Sequence, residues 1–140
     1  MKKYEVFEHT ADVGIRSSGS DVNEAFENAA EGMFSIITEL EKVEPIGQYK
    51  IISEAHDLEQ LLVNWLSELL YLQTVSSVMF SKFGVNVQKK GEKWQLEAYA
   101  SGENFDRSKH TFETEIKAVT HHILEVNLNE ICTVQVLFDI

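Results

Sequence analysis

A leucine-rich stripe is the feature that most constrains how this chain can fold. Its apolar residues recur at i, i+3, i+4, i+7 and i+8, which is the spacing of one face of an α-helix. They are Leu58, Leu61, Leu62, Trp65, Leu66, Leu69 and Leu72. Asp57 precedes the stripe and Gln60 follows three residues later, an arrangement typical of a helix N-terminus. We therefore predict a core-facing helix that begins after Asp57.

A second apolar face follows Ser20 and Asp21, with Glu24 placed as in a variant of the capping box. Its members are Val22, Ala25, Phe26, Ala29, Ala30, Met33, Ile36 and Ile37. We expect this helix to stop near Thr38–Glu41, before Pro45, the only proline of the chain.

Strands are predicted where apolar and polar residues alternate with period two. These segments are residues 4–8, 13–18, 49–54, a hairpin over 78–102 with its turn at 89–92, a β-branched stretch from Ile116 to Val126, and Cys132 to Phe138. Residues 39–48 and 103–112 are polar and predicted as connections. This order of elements predicts an α+β fold, with two helices packed on one face of a mainly antiparallel sheet.

Length and composition predict a single domain over residues 1–140, with ordinary globular usage and a core of its own. With 12 basic and 23 acidic residues the net charge is −11, so we expect no strong direct binding of nucleic acid. A cation or a basic protein surface suits such a chain better. Cys132 is the only cysteine, no apolar run is long enough for a membrane span, and no signal peptide is evident. We expect a cytoplasmic protein.

Two acidic positions stand out. Asp12 lies in the segment EHTAD, which interrupts two predicted strands, and Asp139 follows the final apolar run, next to the α-carboxylate of Ile140. Adjacent anionic groups repel unless a cation or water screens them, and oxygen clusters suit Ca²⁺, Mg²⁺ and Mn²⁺. If Asp12 joined them, three carboxylates could share one ion. The alternative is that Asp139 is exposed at a frayed end and Asp12 merely closes a turn.

Histidines give a weaker signal. His9 and Asp12 could form an acid/base pair, but no nucleophile motif accompanies them. In a strand His121 and His122 would point to opposite faces and could not readily bind one metal together. There is also no glycine-rich phosphate loop and no H-E-x-x-H motif.

Five motifs, in order along essentially the whole chain, resemble the archease family: HTADVGI, AFENAAEGMF, DLEQLLVNWLSELLYL, EIKAVTHH and VLFDI. The resemblance implies an α+β fold with a strand-helix-strand-strand module. It also implies a non-catalytic partner in tRNA splicing and RNA repair, which activates the GTP-dependent RNA ligase of the RtcB type by promoting its guanylylation and multiple turnover. A divalent cation, usually calcium, would be held by Asp12, Asp139 and a carboxylate oxygen of Ile140.

The sequence departs from the family where His121 stands in place of a common Tyr, so any role of that hydroxyl is in doubt. Two other functions stay open at this point. One is a general chaperone or interaction module for nucleic-acid enzymes. The other is a small metal-dependent hydrolase that uses Asp12, Asp139 and His9. The oligomeric state and the docking surface for the ligase are not fixed by the sequence.

Overall fold

The structure, a computed structural model, describes residues 2–140 as eight strands, two helices and a short 3₁₀ turn. In chain order the elements are β1 (Tyr4–His9), β2 (Asp12–Gly19), α1 (Val22–Ile37), the 3₁₀ turn (Leu40–Lys42), β3 (Gly47–Ala55), α2 (Leu58–Ser76), β4 (Val78–Lys90), β5 (Lys93–Asn104), β6 (Ala118–Val119), β7 (Glu125–Leu128) and β8 (Cys132–Asp139). The predicted α+β class, with two helices and antiparallel strands, is confirmed.

Both helices begin where their capping residues predict. The carboxylate of Asp21 accepts a hydrogen bond of 2.8 Å from the backbone N–H of Glu24, and that of Asp57 accepts one of 2.7 Å from Gln60. Each bond satisfies one of the N–H groups that a helix start leaves without an intrahelical partner. Trp65 of α2 is fully buried, and its indole N–H donates to the carbonyl of Phe26 in α1 at 3.1 Å. The two predicted apolar faces therefore meet in one core.

The strands form two antiparallel sheets rather than one. The first has the order β1-β2-β8-β6, with β7 also paired to β8, and the second has the order β3-β5-β4. The second sheet and α2 make up a strand-helix-strand-strand module. It ends at β4 because the N–H groups of Val85 and Val87 donate to side chains of α1, to Glu27 at 2.9 Å and to Asn23 at 2.7 Å. We call this arrangement the β4 seal.

Helix α1 packs on β2 and β8 of the first sheet and on β4 of the second, so it lies between the sheets, whereas α2 packs mainly on β3 and β5. A bulge in β4 between Phe80 and Lys82 brings the backbone of Met79 against Gly102. A Cβ at Gly102 would lie 1.8 Å from the Met79 carbonyl oxygen, so only glycine fits there.

The prediction of one strand from Ile116 to Val126 is wrong. This segment forms the two short strands β6 and β7, separated by a turn in which Ile123 has a φ of 51°. The left-handed region is unfavourable for a β-branched residue, and no glycine or proline marks the turn in the sequence. His121 and His122 therefore lie in a turn, and the strand geometry invoked for them does not apply.

Neither α1 nor α2, the two α-helices described within residues 2–140, has the length and apolar character of a membrane span.

Candidate metal centre

Asp12 is held at the start of β2 by a tight turn. His9 and Asp12 pair across the β1–β2 hairpin, which leaves only Thr10 and Ala11 in the loop. Thr10 has a φ of 57°, a conformation that glycine adopts easily and that costs a β-branched residue about 1–3 kcal/mol. The segment that interrupts the predicted strands is thus a strained two-residue turn directly before the half-buried Asp12.

Strand β8 carries Asp139 to the same end of the first sheet. Val13 of β2 is opposite Phe138 of β8, so the antiparallel register places Asp12 level with Asp139. On its other side, Asp139 pairs with Ala118 of β6, and its carbonyl accepts a hydrogen bond of 2.7 Å from the N–H of Lys117. Strand β8 is therefore paired with β2 up to Phe138 and with β6 up to Asp139.

A cavity of about 290 Å³ lies at this end of the sheet. Its lining residues are Glu8, Thr10, Ala11, Asp12, Val13, Ile36, Thr114 and Ile140. The structure therefore brings Asp12 and Ile140 to one cavity. Asp139 is not among the lining residues, and it is exposed beside the cavity.

The donor set at this cavity is rich in oxygen. Neither Asp12 nor Asp139 has an ion-pair partner within residues 2–140, so no basic side chain there offsets their charge. Among those same residues, no group of three or more His, Cys, Asp or Glu side chains could hold a metal by itself. The predicted ligands Asp12, Asp139 and the carboxylate of Ile140 would offer a cation oxygen atoms only. That all-oxygen set fits a hard divalent cation better than zinc.

His9 forms no acid/base pair with Asp12 in this geometry. Its Nδ1 atom is buried and makes no hydrogen bond within residues 2–140, and its ring instead packs against His122 with centroids 5.3 Å apart. His121 points elsewhere, with its Nε2 atom 2.9 Å from the side-chain oxygen of Gln60 in α2. The pair that the structure brings together is thus His9 and His122, not the two adjacent histidines.

A polar network in the connection after β5 was missed by the sequence reasoning. His110 is almost fully buried and contacts Glu103, whose carboxylate also binds Lys109 at 2.8 Å and the backbone N–H of Glu44 at 2.8 Å. The bond from the Glu44 N–H, helped by Lys109 and His110, lowers the pKa of Glu103 to about 2. The sequence of this segment is that of an ordinary polar loop. The only indication of a buried network is a histidine that is followed by Thr and Phe.

Known proteins match this chain over nearly its whole length. The model of the Archease protein family (MTH1598/TM1083) matches residues 4–140. The chain belongs to the archease family. Protein archease of Sulfurisphaera tokodaii is 44% identical over 126 residues, which cover 90% of this chain and 89% of that protein. Protein archease of Methanosarcina mazei is 48% identical over 126 residues, which cover 89% of this chain and 86% of that protein.

A solved archease-family structure shares the fold. The solution structure of Methanobacterium thermoautotrophicum protein 1598 superimposes with a TM-score of 0.89 at 35% identity, and the match covers 100% of both chains. The resemblance inferred from the five motifs is thereby confirmed, as is the archease-like α+β architecture.

Proposed function

We propose that this archease-family protein is a non-catalytic activator of a GTP-dependent, RtcB-type RNA ligase in tRNA splicing. It would promote guanylylation of the ligase and its multiple turnover. The observation that carries the proposal is the meeting of Asp12 and the Ile140 terminus at one cavity, with Asp139 level with Asp12 in the strand register. Family membership over residues 4–140 supports the choice of partner, because the resemblance to archease implies a ligase of this type.

The charge of the protein supports a docking role. At −11 it favours approach to a basic surface, such as the mouth of an enzyme that binds a polyanion. An activator can accelerate a step only if it binds one state of its partner better than another. The oxygen-rich end of the first sheet could bind one state of the ligase better, because its acidic groups can hold a loop or a basic side chain of the ligase in place.

Asp12, Asp139 and Ile140 would hold a divalent cation. The family resemblance implies Ca²⁺, and Mg²⁺ and Mn²⁺ are the other hard cations that suit oxygen ligands. Such an ion would supply the positive charge that this group of carboxylates lacks. The part that the chain itself plays is positional. Strand β2 orients Asp12, β8 orients Asp139, and the bond from Lys117 fixes the backbone before Ile140. Nucleotidyl transfer depends on the position of charged groups around the phosphates. Substitution of Asp12 or Asp139 should therefore reduce activation of the ligase.

The test is guanylylation of the purified ligase, followed by RNA joining under multiple-turnover conditions. Wild-type protein should raise both, and Asp12→Asn and Asp139→Asn should each lower the stimulation at least tenfold. Glu41→Gln, at an exposed position of the 3₁₀ turn far along the chain from both aspartates, is the matched control and should behave as wild type. Full stimulation by both aspartate variants would overturn the role of this site. Absence of any stimulation by wild-type protein would overturn the activator function itself.

A further inference from the structure

The second sheet has one face that no other element covers in residues 2–140. Its inner face, which includes Ile51, Val85 and Leu96, is buried against the helices. On the opposite face the side chains are mostly exposed, with Ile52 at 70% and Tyr99 at 39% of their accessible area. We call this uncovered surface the outer face of the β3-β5-β4 sheet.

Alternation along the three strands defines which residues form the outer face. The charged ones are Lys50 and Glu54 of β3, Lys93 and Glu97 of β5, and Lys82 and Lys90 of β4. Lysines outnumber glutamates here by four to two, although the whole chain has a net charge of −11. The outer face is therefore a local region of positive charge on an otherwise acidic molecule.

Two of these lysines are not neutralised. Lys50 pairs with Glu97 at 3.5 Å and Lys93 pairs with Glu54 at 3.3 Å, so both glutamates are already occupied. Within residues 2–140, neither Lys82 nor Lys90 has a carboxylate partner. The remaining charge of the outer face is thus positive and accessible.

Tyr99 lies at the centre of this face. In the strand register it is opposite Lys50 on one side and Gly84 on the other. A Cβ built at Gly84 would meet no atom within 4 Å, so the surface beside the tyrosine is open. A flat ring with free space next to it, and with Lys50 and Lys82 on the neighbouring strands, can accept another planar group.

We propose that the outer face binds single-stranded nucleic acid. A base would stack on Tyr99 in the opening above Gly84, Lys82 would contact the flanking phosphate, and Lys90 would contact a phosphate farther along β4. The amides of Asn86 and Gln88, on the same face of β4, would lie within the path of the adjoining nucleotides. An aromatic platform among lysines is how sheets hold unpaired bases without reading their sequence. The net charge of −11 is unevenly distributed, because β3, β4 and β5 place four lysines and only two glutamates on one face.

The test measures fluorescence anisotropy of a short labelled oligouridylate, at low salt and over a salt series. With two to four phosphates neutralised, log K should fall with log salt at a slope of about −1.4 to −2.8. Tyr99→Ala should weaken binding roughly fivefold to a hundredfold, whereas Tyr99→Phe keeps the ring and should bind as wild type. Lys82→Glu should weaken binding and flatten the slope.

Two substitutions at exposed positions elsewhere serve as matched controls. Tyr71 of α2 is exposed at 58%, and Lys2 precedes β1, so Tyr71→Ala and Lys2→Glu should both leave affinity unchanged. Thermal unfolding of each variant separates loss of binding from loss of fold. Equal affinity for oligothymidylate would support the proposal, since stacking and phosphate contacts do not need the 2′-hydroxyl.

Several outcomes would overturn the inference. They are no binding at low salt, binding that Tyr71→Ala weakens as much as Tyr99→Ala, and tighter binding of a poly-glutamate peptide than of the oligouridylate. The last result would make the outer face a docking site for an acidic protein. Because the ligase is absent from these measurements, their failure leaves the proposed activator function standing.

Discussion

His110, in the connection that follows β5, and Glu103, near the end of β5, form a partly buried hydrogen bond of 3.0 Å between Nε2 and Oε2. The backbone N–H of Asp106 donates to Nδ1 of His110 at 2.9 Å. Since Nδ1 accepts that bond, Nε2 carries the proton of the neutral ring and donates to the carboxylate. This bond fixes a segment that otherwise has little regular structure.

Acid titration should reveal the contribution of Glu103. Its folded-state pKa of about 2 is below the ordinary value of 4.5, so its carboxylate favours the folded state fully above about pH 4.5. That stability should be lost as the pH falls from 4.5 through 2, because protonation weakens the bonds from Glu44, Lys109 and His110. Glu103→Gln should be less stable than wild type at pH 6, with the difference shrinking towards pH 2. Urea unfolding at several pH values measures this, and Glu41→Gln should show no such convergence.

The candidate metal centre predicts a change of sign in the effect of one substitution. In the presence of EDTA, Asp12→Asn removes a negative charge near Asp139 and should be at least as stable as wild type. With Ca²⁺ at about 100 times its dissociation constant, wild-type protein should gain about 2.7 kcal/mol, and the variant should not. The order of the two melting temperatures should therefore reverse. If Ca²⁺ raised both equally, Asp12 would not be a ligand.

One glycine added after Ile140 tests the terminal carboxylate separately. It moves that carboxylate about 3.8 Å along the chain and replaces it with a neutral amide, while the side chains of Asp12 and Asp139 stay in place. We expect the calcium-dependent rise in melting temperature to fall by more than half. An unchanged rise would show that the side chains suffice, and would remove Ile140 from the site.

Backbone strain at Thr10 should be measurable as stability. Thr10→Gly removes the cost of a left-handed β-branched residue, about 1–3 kcal/mol, and adds about 0.5–1 kcal/mol of backbone entropy cost. We expect a net gain of about 1 kcal/mol in the free energy of unfolding. Ala11→Gly, at the neighbouring loop position, whose φ is not positive, is the matched control and should lose stability. Chemical denaturation of both variants decides the matter, and a loss in Thr10→Gly would contradict the strain argument.

Loss of the β4 seal should cause the protein to self-associate. Asn23→Ala with Glu27→Ala would remove both acceptors and expose the N–H groups of Val85 and Val87 as a free strand edge. We expect concentration-dependent dimers or larger species by analytical ultracentrifugation, together with a loss of about 1–2 kcal/mol in stability. Asn86→Ala, on the outer face of the same strand, should stay as monodisperse as wild type.

Local signals in the sequence predicted local structure well. The caps at Asp21 and Asp57 and the leucine stripe located both helices, since helix contacts repeat within a few residues. The β4–β5 hairpin was predicted for the same reason, with Gly91 at a φ of 65° in its two-residue turn. Those features depend on neighbours in the chain.

The missed features depend on distant neighbours. The division into two sheets follows from the β4 seal, in which side chains of α1 take the place of a further strand. No residue close to Val85 in the sequence indicates this arrangement. The break at Ile123 is imposed by pairing of both β6 and β7 to β8, against the local preference of an isoleucine. At the candidate site, charge alone suggested Asp12 with Asp139, but only the register with β8 shows that they lie at one end of a sheet.

The position of β8 also sets an order of assembly. It comes after all its partners in the sequence, yet it pairs with β2, β6 and β7 and so lies inside the first sheet. During synthesis the strand-helix-strand-strand module, residues 47–104, can close on itself early. Strand β2 has only β1 as a neighbour until β8 is made, more than a hundred residues later. Until then α1 lacks its packing on β8, although β1, β2 and β4 are already present. A nascent chain of this protein therefore carries a closed module joined to an incomplete sheet. When β8 pairs with β2, it adds Phe138 to the core and at the same time places Asp139 level with Asp12.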